Sequence, residues 1–210
     1  MSPPHVHAKP HGEHDATVHH PFDNVTHWTA IFDDPSRDAW QKPAEVVQAL
    51  DLRPGMRVAD LGAGTGYFSR YLSAAVGDDG TVFAVDTEPN LVTYLRERSD
   101  KEHTANLVPI LASPDNPRLP VRSTDLVLIV DTFHHIDARL KYFARLRRLL
   151  KPGGRVAIID WQKRELPVGP PPPHKIPRAQ VVEEMEAAGY QLVAEPALLP
   201  YQYFLIFRSA

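Results

Sequence analysis

Three glycines at alternate positions, Gly62, Gly64 and Gly66, follow an acidic residue, Asp60, and a second acid, Asp86, stands twenty positions beyond the last of them. Glycine accepts φ > 0 and lets a ligand lie close to the backbone. A helix that opens at such a turn offers free N–H groups and the positive end of its dipole. An acid at that distance after a second strand is placed to hydrogen-bond a ribose diol. The set reads as a socket for a small cofactor that carries a nucleoside. A second candidate group, Asp131 with His134 and His135, follows an apolar run. Imidazole titrates near neutral pH, so either histidine is a candidate general base.

These residues need strands to carry them. Arg57 to Asp60, Thr81 to Val85, Leu107 to Leu111, Asp125 to Val130 and Arg155 to Asp160 are short β-prone runs, and helical patterns separate them. Phe68, Leu72 and Ala75 mark one helix, closed by Gly77; Leu91, Tyr94 and Leu95 mark another, which starts at Pro89. Ile136 to Leu150 reads as a helix stopped by Pro152-Gly153-Gly154, and Arg178 to Ala188 as a further helix before Gly189. Two last strands follow, Gln191 to Ala194 and Tyr201 to Phe207. The link between them is too short for a crossover, so the final strand is expected to run antiparallel to its predecessor. The expected fold is α/β: a three-layer, Rossmann-like, seven-stranded sheet, mostly parallel. The candidates Asp60, Gly62, Gly64, Gly66, Asp86, Ser113, Asp131, His134, His135 and Asp160 all fall just at or after strand ends, where ligands bind in such sheets.

The chain has 210 residues and a net charge of −3, with no cysteine. Thiolate metal sites and cysteine nucleophiles are excluded. The charge gives no case for nucleic acid or an anionic membrane as a partner, and no apolar run is long enough for a span. A cytoplasmic protein with a small-molecule substrate is the expectation. Residues 1–22 form a His- and Pro-rich tail with six of the eleven histidines, too polar to order itself, and a solvated tail is favoured over a metal-binding one. Residues 23–50 supply Trp28, Ile31, Phe32 and Trp40, with Asp34-Pro35 as a helix start, and read as a helical cap beside the cofactor mouth. Residues 51–210 form the Rossmann-like domain.

The glycine spacing separates cofactors. In the dinucleotide fingerprint the third glycine comes one position later, where this chain has Tyr67. Asp60 before the turn is awkward beside a pyrophosphate and suits a ligand with an ammonium group. Asp60-x-Gly62-x-Gly64-x-Gly66, Asp86, Asp131 and Leu149-Leu150-Lys151-Pro152-Gly153-Gly154 together resemble the class I S-adenosylmethionine-dependent methyltransferases, from about residue 43 to 208. Within them the chain looks most similar to small-molecule enzymes of the ubiquinone/menaquinone-biosynthesis type.

The resemblance implies S-adenosyl-L-methionine as cofactor. It implies that Gly62, Gly64 and Gly66 pack under the methionine part, with Asp60 near the amino group. Asp86 would hold the ribose, Ser113 would stand near adenine and Asp131 below the methyl. The family's acid at the adenine position is displaced here to Asp115, after Pro114. An acceptor hydroxyl would call for His134 or His135 as base; Asp160 reads as a loop organiser, and no metal site is expected. The acceptor is expected between Trp28, Phe32 and Trp40 on one side and the loop Pro167 to His174 on the other. Two other readings compete: a nucleotide-dependent oxidoreductase, and a non-catalytic metal-binding or adaptor protein on a relict fold.

Overall fold

The computed structural model describes residues 25–209; the His-rich tail and its metal-binding reading lie outside them. Four parallel strands form the middle and one side of the sheet: β1 (Arg57–Leu61), β2 (Thr81–Asp86), β3 (Leu107–Leu111) and β4 (Thr124–Val130). β5 (Leu150–Trp161) continues it in parallel. β7 (Gln202–Ser209) then inserts antiparallel between β5 and β6 (Tyr190–Ala194). The order is β3-β2-β1-β4-β5-β7-β6. The antiparallel last strand agrees with the sequence expectation, and its insertion inside β6 is information only the structure supplies.

The strands are apolar on both faces because both faces are covered. Along β1, Val58 faces one side and Ala59 the other. Val58, Leu126 and Leu128 pack with Leu50 and Leu72 of the layer formed by α3 (Pro43–Ala49) and α4 (Ser69–Val76). On the opposite face Val127, Ile129 and Ile158 pack with Phe143 of α6 (Arg139–Leu146) and Met185 of α7 (Arg178–Ala187). α5 (Pro89–Glu102) lies on β2 and β3. No helix among the described residues is long and apolar enough to cross a membrane.

The structure corrects the boundaries of three elements. The helix expected over Ile136 to Leu150 covers only Arg139–Leu146, because Phe133–His135 form a 3-10 turn and Ala138 takes a left-handed conformation, φ +46°. β5 starts at Leu150 and so includes Pro152-Gly153-Gly154, which the sequence had suggested as a stop ahead of the strand. The helix after the glycines also starts later than the turn, at Ser69.

The cap is helical, as expected, but in more pieces: α1 (Val25–Phe32), a 3-10 turn over Pro35–Arg37, α2 (Asp38–Gln41) and α3. Asp34 caps the turn, its side chain accepting from Ser36 N at 2.8 Å with Pro35 in the first position. Lys42, φ +46°, turns the chain between α2 and α3.

Candidate active site

The strand order reverses between β1 and β4, and the chemistry-bearing side chains gather at the C-terminal ends around that point. The loop after β1 folds onto the end of β2. Gly62 and Ala63 donate their N–H groups to Val85 O at 2.8 and 3.0 Å. Gly64 N donates to Asp86 Oδ2 at 2.8 Å, while Asp86 Oδ1 accepts from Glu88 N at 3.0 Å. Burial pushes the Asp86 carboxyl up, against these backbone bonds, which pull it down.

The three glycines have different reasons to be glycine. All have positive φ. A Cβ on Gly62 would meet Thr132 Oγ1 at 2.2 Å, and one on Gly66 would meet Leu95 Cδ2 at 2.8 Å. At Gly64 the nearest atom would be Phe32 Cδ2 of the cap, at 3.5 Å. Close packing against the protein therefore fixes Gly62 and Gly66, a sharper statement than the common role beneath a ligand that the resemblance implies. Asp60 is buried and accepts from Ser69 Oγ at 2.6 Å; burial raises its carboxyl to about 6.

Asp131 sits at the centre. Its φ of +52° is unusual for a non-glycine residue and marks a strained backbone at a site. It accepts from Gln202 Nε2 at 2.5 Å and from Gln41 Nε2 at 3.5 Å, and Gln41 also donates to Gln202 at 3.2 Å. Burial first, and then the nearby Asp160 charge, push Asp131 up to about 7. Arg37 opposes that shift and is itself held below its ordinary value by burial. Its guanidinium lies over the Tyr67 ring at 4.3 Å and donates to Gln41 Oε1 at 2.9 Å.

His134 Nδ1 lies 2.9 Å from both oxygens of Asp160. Asp160 also accepts from the backbone N–H groups of His134 at 3.2 Å and Trp161 at 2.8 Å. It therefore organises its loop, as expected, and orients an imidazole as well. Burial pulls His134 down, but the Asp160 hydrogen bond and charge outweigh it and hold the ring above its ordinary value. His135 is exposed and stacks on His134 with centroids 4.1 Å apart. The pair that sequence left equivalent is thus distinguished by burial and by a carboxylate partner.

Ser113 follows Ala112, whose N–H donates to Asp86 O at 2.8 Å, and its hydroxyl donates to Asp115 Oδ1 at 3.0 Å. That hydroxyl lowers the Asp115 carboxyl first, with Arg145 adding to it. Of the aromatic residues expected near the acceptor, Trp40 meets Trp161 at 5.3 Å and Tyr201 at 6.3 Å, while Trp28 packs on Phe32 at 5.4 Å. The proline-rich loop reaches the same place, since a Cβ on Gly169 would stand 2.7 Å from the Trp161 ring. The cap is clasped from below: Asp33 accepts from Thr65 Oγ1 at 2.8 Å and pairs with Arg98 at 2.6 Å. Arg37, Gln41, Gln202, Asp33 and Arg98 carry no motif and escape sequence reasoning. The only sequence signal for Gln202 is a polar residue between Tyr201 and Tyr203.

A seven-stranded sheet with this order, a left-handed glycine loop tied to an acid after β2, and polar side chains at the ends of β4 and β5 define an S-adenosylmethionine-type methyltransferase fold. The comparisons agree. Residues 59–158 match the family described as "Methyltransferase domain". A SAM-dependent methyltransferase from Aquifex aeolicus of known crystal structure is 30% identical and has a TM-score of 0.84, covering 89% of this chain and 99% of its own. The chain belongs to the S-adenosylmethionine-dependent methyltransferases. A ubiquinone/menaquinone biosynthesis C-methyltransferase UbiE from Shewanella halifaxensis is 28% identical over 118 residues, 56% of this chain and 47% of the relative. The chain therefore spans about half the length of the curated relatives it matches. The [4+2]-cyclase SpnF, 14% identical with a TM-score of 0.69 over 80% of each chain, shares the fold alone.

The residues present fit the family's cofactor. Gly62, Gly64 and Gly66 all take positive φ, and the Asp86 carboxylate has lone pairs left after its bonds from Gly64 N and Glu88 N.

Proposed function

We propose that this protein transfers a methyl group from S-adenosyl-L-methionine to a small-molecule acceptor, with His134 as the general base. The observation that carries the reading is the His134–Asp160 pair, 2.9 Å apart at the ends of β4 and β5, beside Asp131 and the glycine loop. S-Adenosylmethionine, when bound, supplies a methyl already activated by its sulfonium, so the protein needs no nucleophile of its own.

The chain's side chains then have four tasks. Asp86 accepts the ribose hydroxyls, and the loop from Gly62 to Gly66 leaves room for the amino-acid part beside Asp60. With Nδ1–H donated to Asp160, His134 Nε2 is left as an acceptor for the proton of an acceptor hydroxyl. Arg37, Gln41 and Gln202 hold Asp131 in place under the reacting centre. The cap, through Phe32 and Trp40, and the loop around Gly169 exclude water and orient the acceptor, an advantage of roughly 7–11 kcal/mol when alignment is good.

A cytoplasmic location is part of this proposal; among the described residues no helix is long and apolar enough to cross a membrane. The competing adaptor reading rests on the His-rich tail, which lies outside the described residues. Calorimetry with S-adenosylhomocysteine tests the proposal. Binding that weakens in Asp86→Ala and persists in His134→Ala is expected, and no binding by the intact protein sinks it.

A further inference from the structure

The charge of −3 hides a segregation. Residues 116–155 hold nine lysines and arginines against three aspartates and no glutamate. The expectation that charge gives no case for nucleic acid or an anionic membrane rested on the total, and the structure collects part of this excess in one place. A cavity of about 470 Å³ opens between the link that joins β3 to β4 and the C-terminal half of α6. Arg118, Arg145 and Arg148 form its walls with Asn116, and Leu119 and Leu149 its apolar floor. The volume falls within the ~300–1,000 Å³ range of small-molecule sites. It lies toward the end of the sheet where β4 begins: Arg122 N donates to Arg148 O, and Ser123 N to Leu149 O, just before Thr124. The cofactor loop, Asp131 and His134 are at the strands' other end.

The link is stiff. Pro117 and Pro120 fix two of its φ angles, and Arg118 and Arg122 both take left-handed conformations, φ +55° and +51°. Arginine seldom adopts that region, and such strain clusters where ligands are held. Asn116 Oδ1 accepts from Arg118 N at 3.0 Å and sets the turn. Arg145 is partly engaged, donating to Asp115 O at 2.9 Å and standing 3.5 Å from its carboxylate. Asp115 is exposed and pairs with Arg145.

The geometry points to a second binding site in this groove, for a small organic phosphate: a phosphomonoester or diphosphate on an apolar stem. Guanidinium groups hold phosphate oxygens in bidentate pairs, and three of them line this groove. The Leu119 and Leu149 floor, with Val121 66% exposed at the rim, takes the stem. The lining has no aromatic ring on which a base could stack, which disfavours single-stranded nucleic acid. This site is independent of the methyl-transfer reading.

Calorimetry of the full chain with phenyl phosphate and with inorganic pyrophosphate tests the inference, with S-adenosylhomocysteine titrated separately. Saturable one-to-one binding of phenyl phosphate is expected, weakened at least about tenfold in Arg118→Ala and in Arg148→Ala and less in Arg118→Lys. S-Adenosylhomocysteine affinity should stay unchanged in all three, which also reports that they fold. No saturation at millimolar phenyl phosphate overturns the site, as does binding that survives both alanine variants. Displacement of phenyl phosphate by S-adenosylhomocysteine, or binding only to vesicles containing phosphatidic acid, overturns it equally.

Discussion

Asp160 holds His134 by the ring and by the backbone at once, with its carboxylate 2.9 Å from Nδ1 and 3.2 Å from the same residue's N–H. The imidazole therefore has one orientation and one favoured tautomer. Asp160→Asn would keep the backbone bond and lose the preference, since an amide can donate to Nδ1 as well as accept from it. Turnover is expected to fall by about 100-fold, within the range of general-base contributions. S-Adenosylhomocysteine affinity should hold in a titration. An equal loss in both would make the pair structural.

The same pair sets a pH dependence. The folded-state pKa of His134 is raised, so its contribution to stability is present below the ordinary histidine value and is lost as pH rises through the folded one. A base must be neutral to accept a proton. The rate is therefore expected to climb with pH through a pKa above 6.5, the ordinary histidine value, and that pKa should drop in Asp160→Asn. A pH–rate profile checks both statements, and a flat profile from pH 6 to 8 contradicts them.

Asp131 makes the opposite kind of test. Its carboxyl is raised to about 7, so the folded state keeps a proton that the unfolded chain releases near 3.8. Stability from this group is full in acid and is lost as pH rises through about 7. Asp131→Asn should therefore raise Tm at pH 8 relative to wild type, by a few degrees for roughly 1 kcal/mol, and by less at pH 5. Thermal melts at the two pH values decide it. A gain at pH 5 alone would reverse the assignment.

Gly62 and Gly55 share a conformation, φ +80° and +82°, and differ in their surroundings. Beside Gly55 a Cβ meets nothing within 4 Å, whereas beside Gly62 it meets Thr132 at 2.2 Å. Gly55→Ala is expected to cost about 1 kcal/mol of backbone strain. Gly62→Ala adds overpacking and should cost about 3 kcal/mol or more. Denaturant titration of both variants measures the difference, and equal costs would remove packing as the reason for Gly62.

Arg98 pairs with Asp33 at 2.6 Å, both side chains mostly buried, and donates to Thr65 O at 3.0 Å. Arg98→Ala should free the cap before it unfolds the sheet. Hydrogen exchange over residues 25–41 is expected to accelerate by about tenfold or more while β4 stays protected. Uniform acceleration would mean that the clasp serves the whole fold.

What sequence could reveal followed the range of each interaction. The strands were legible because burial on both faces writes a continuous apolar run, as in Leu126 to Val130. The glycine loop and Asp86 were legible because their geometry is local. The start of α6 was misread because Ile136 is buried in the core without being helical, and periodicity does not separate the two. Arg37, Gln41 and Gln202 were invisible: Gln41 and Gln202, which hydrogen-bond each other, are 161 positions apart. His134 and His135 were adjacent and alike until Asp160, 26 positions on, distinguished them.

The Gln41–Asp131–Gln202 junction also has a place in time. It joins the end of α2, the end of β4 and the first residue of β7. A ribosome delivers those three in order, and the glycine loop and most of the sheet emerge before Gln202 does. Until then Asp131 lacks the amide that holds it at 2.5 Å. The cofactor half of the site can form early in synthesis, whereas the reacting centre waits for the last strand to slide between β5 and β6.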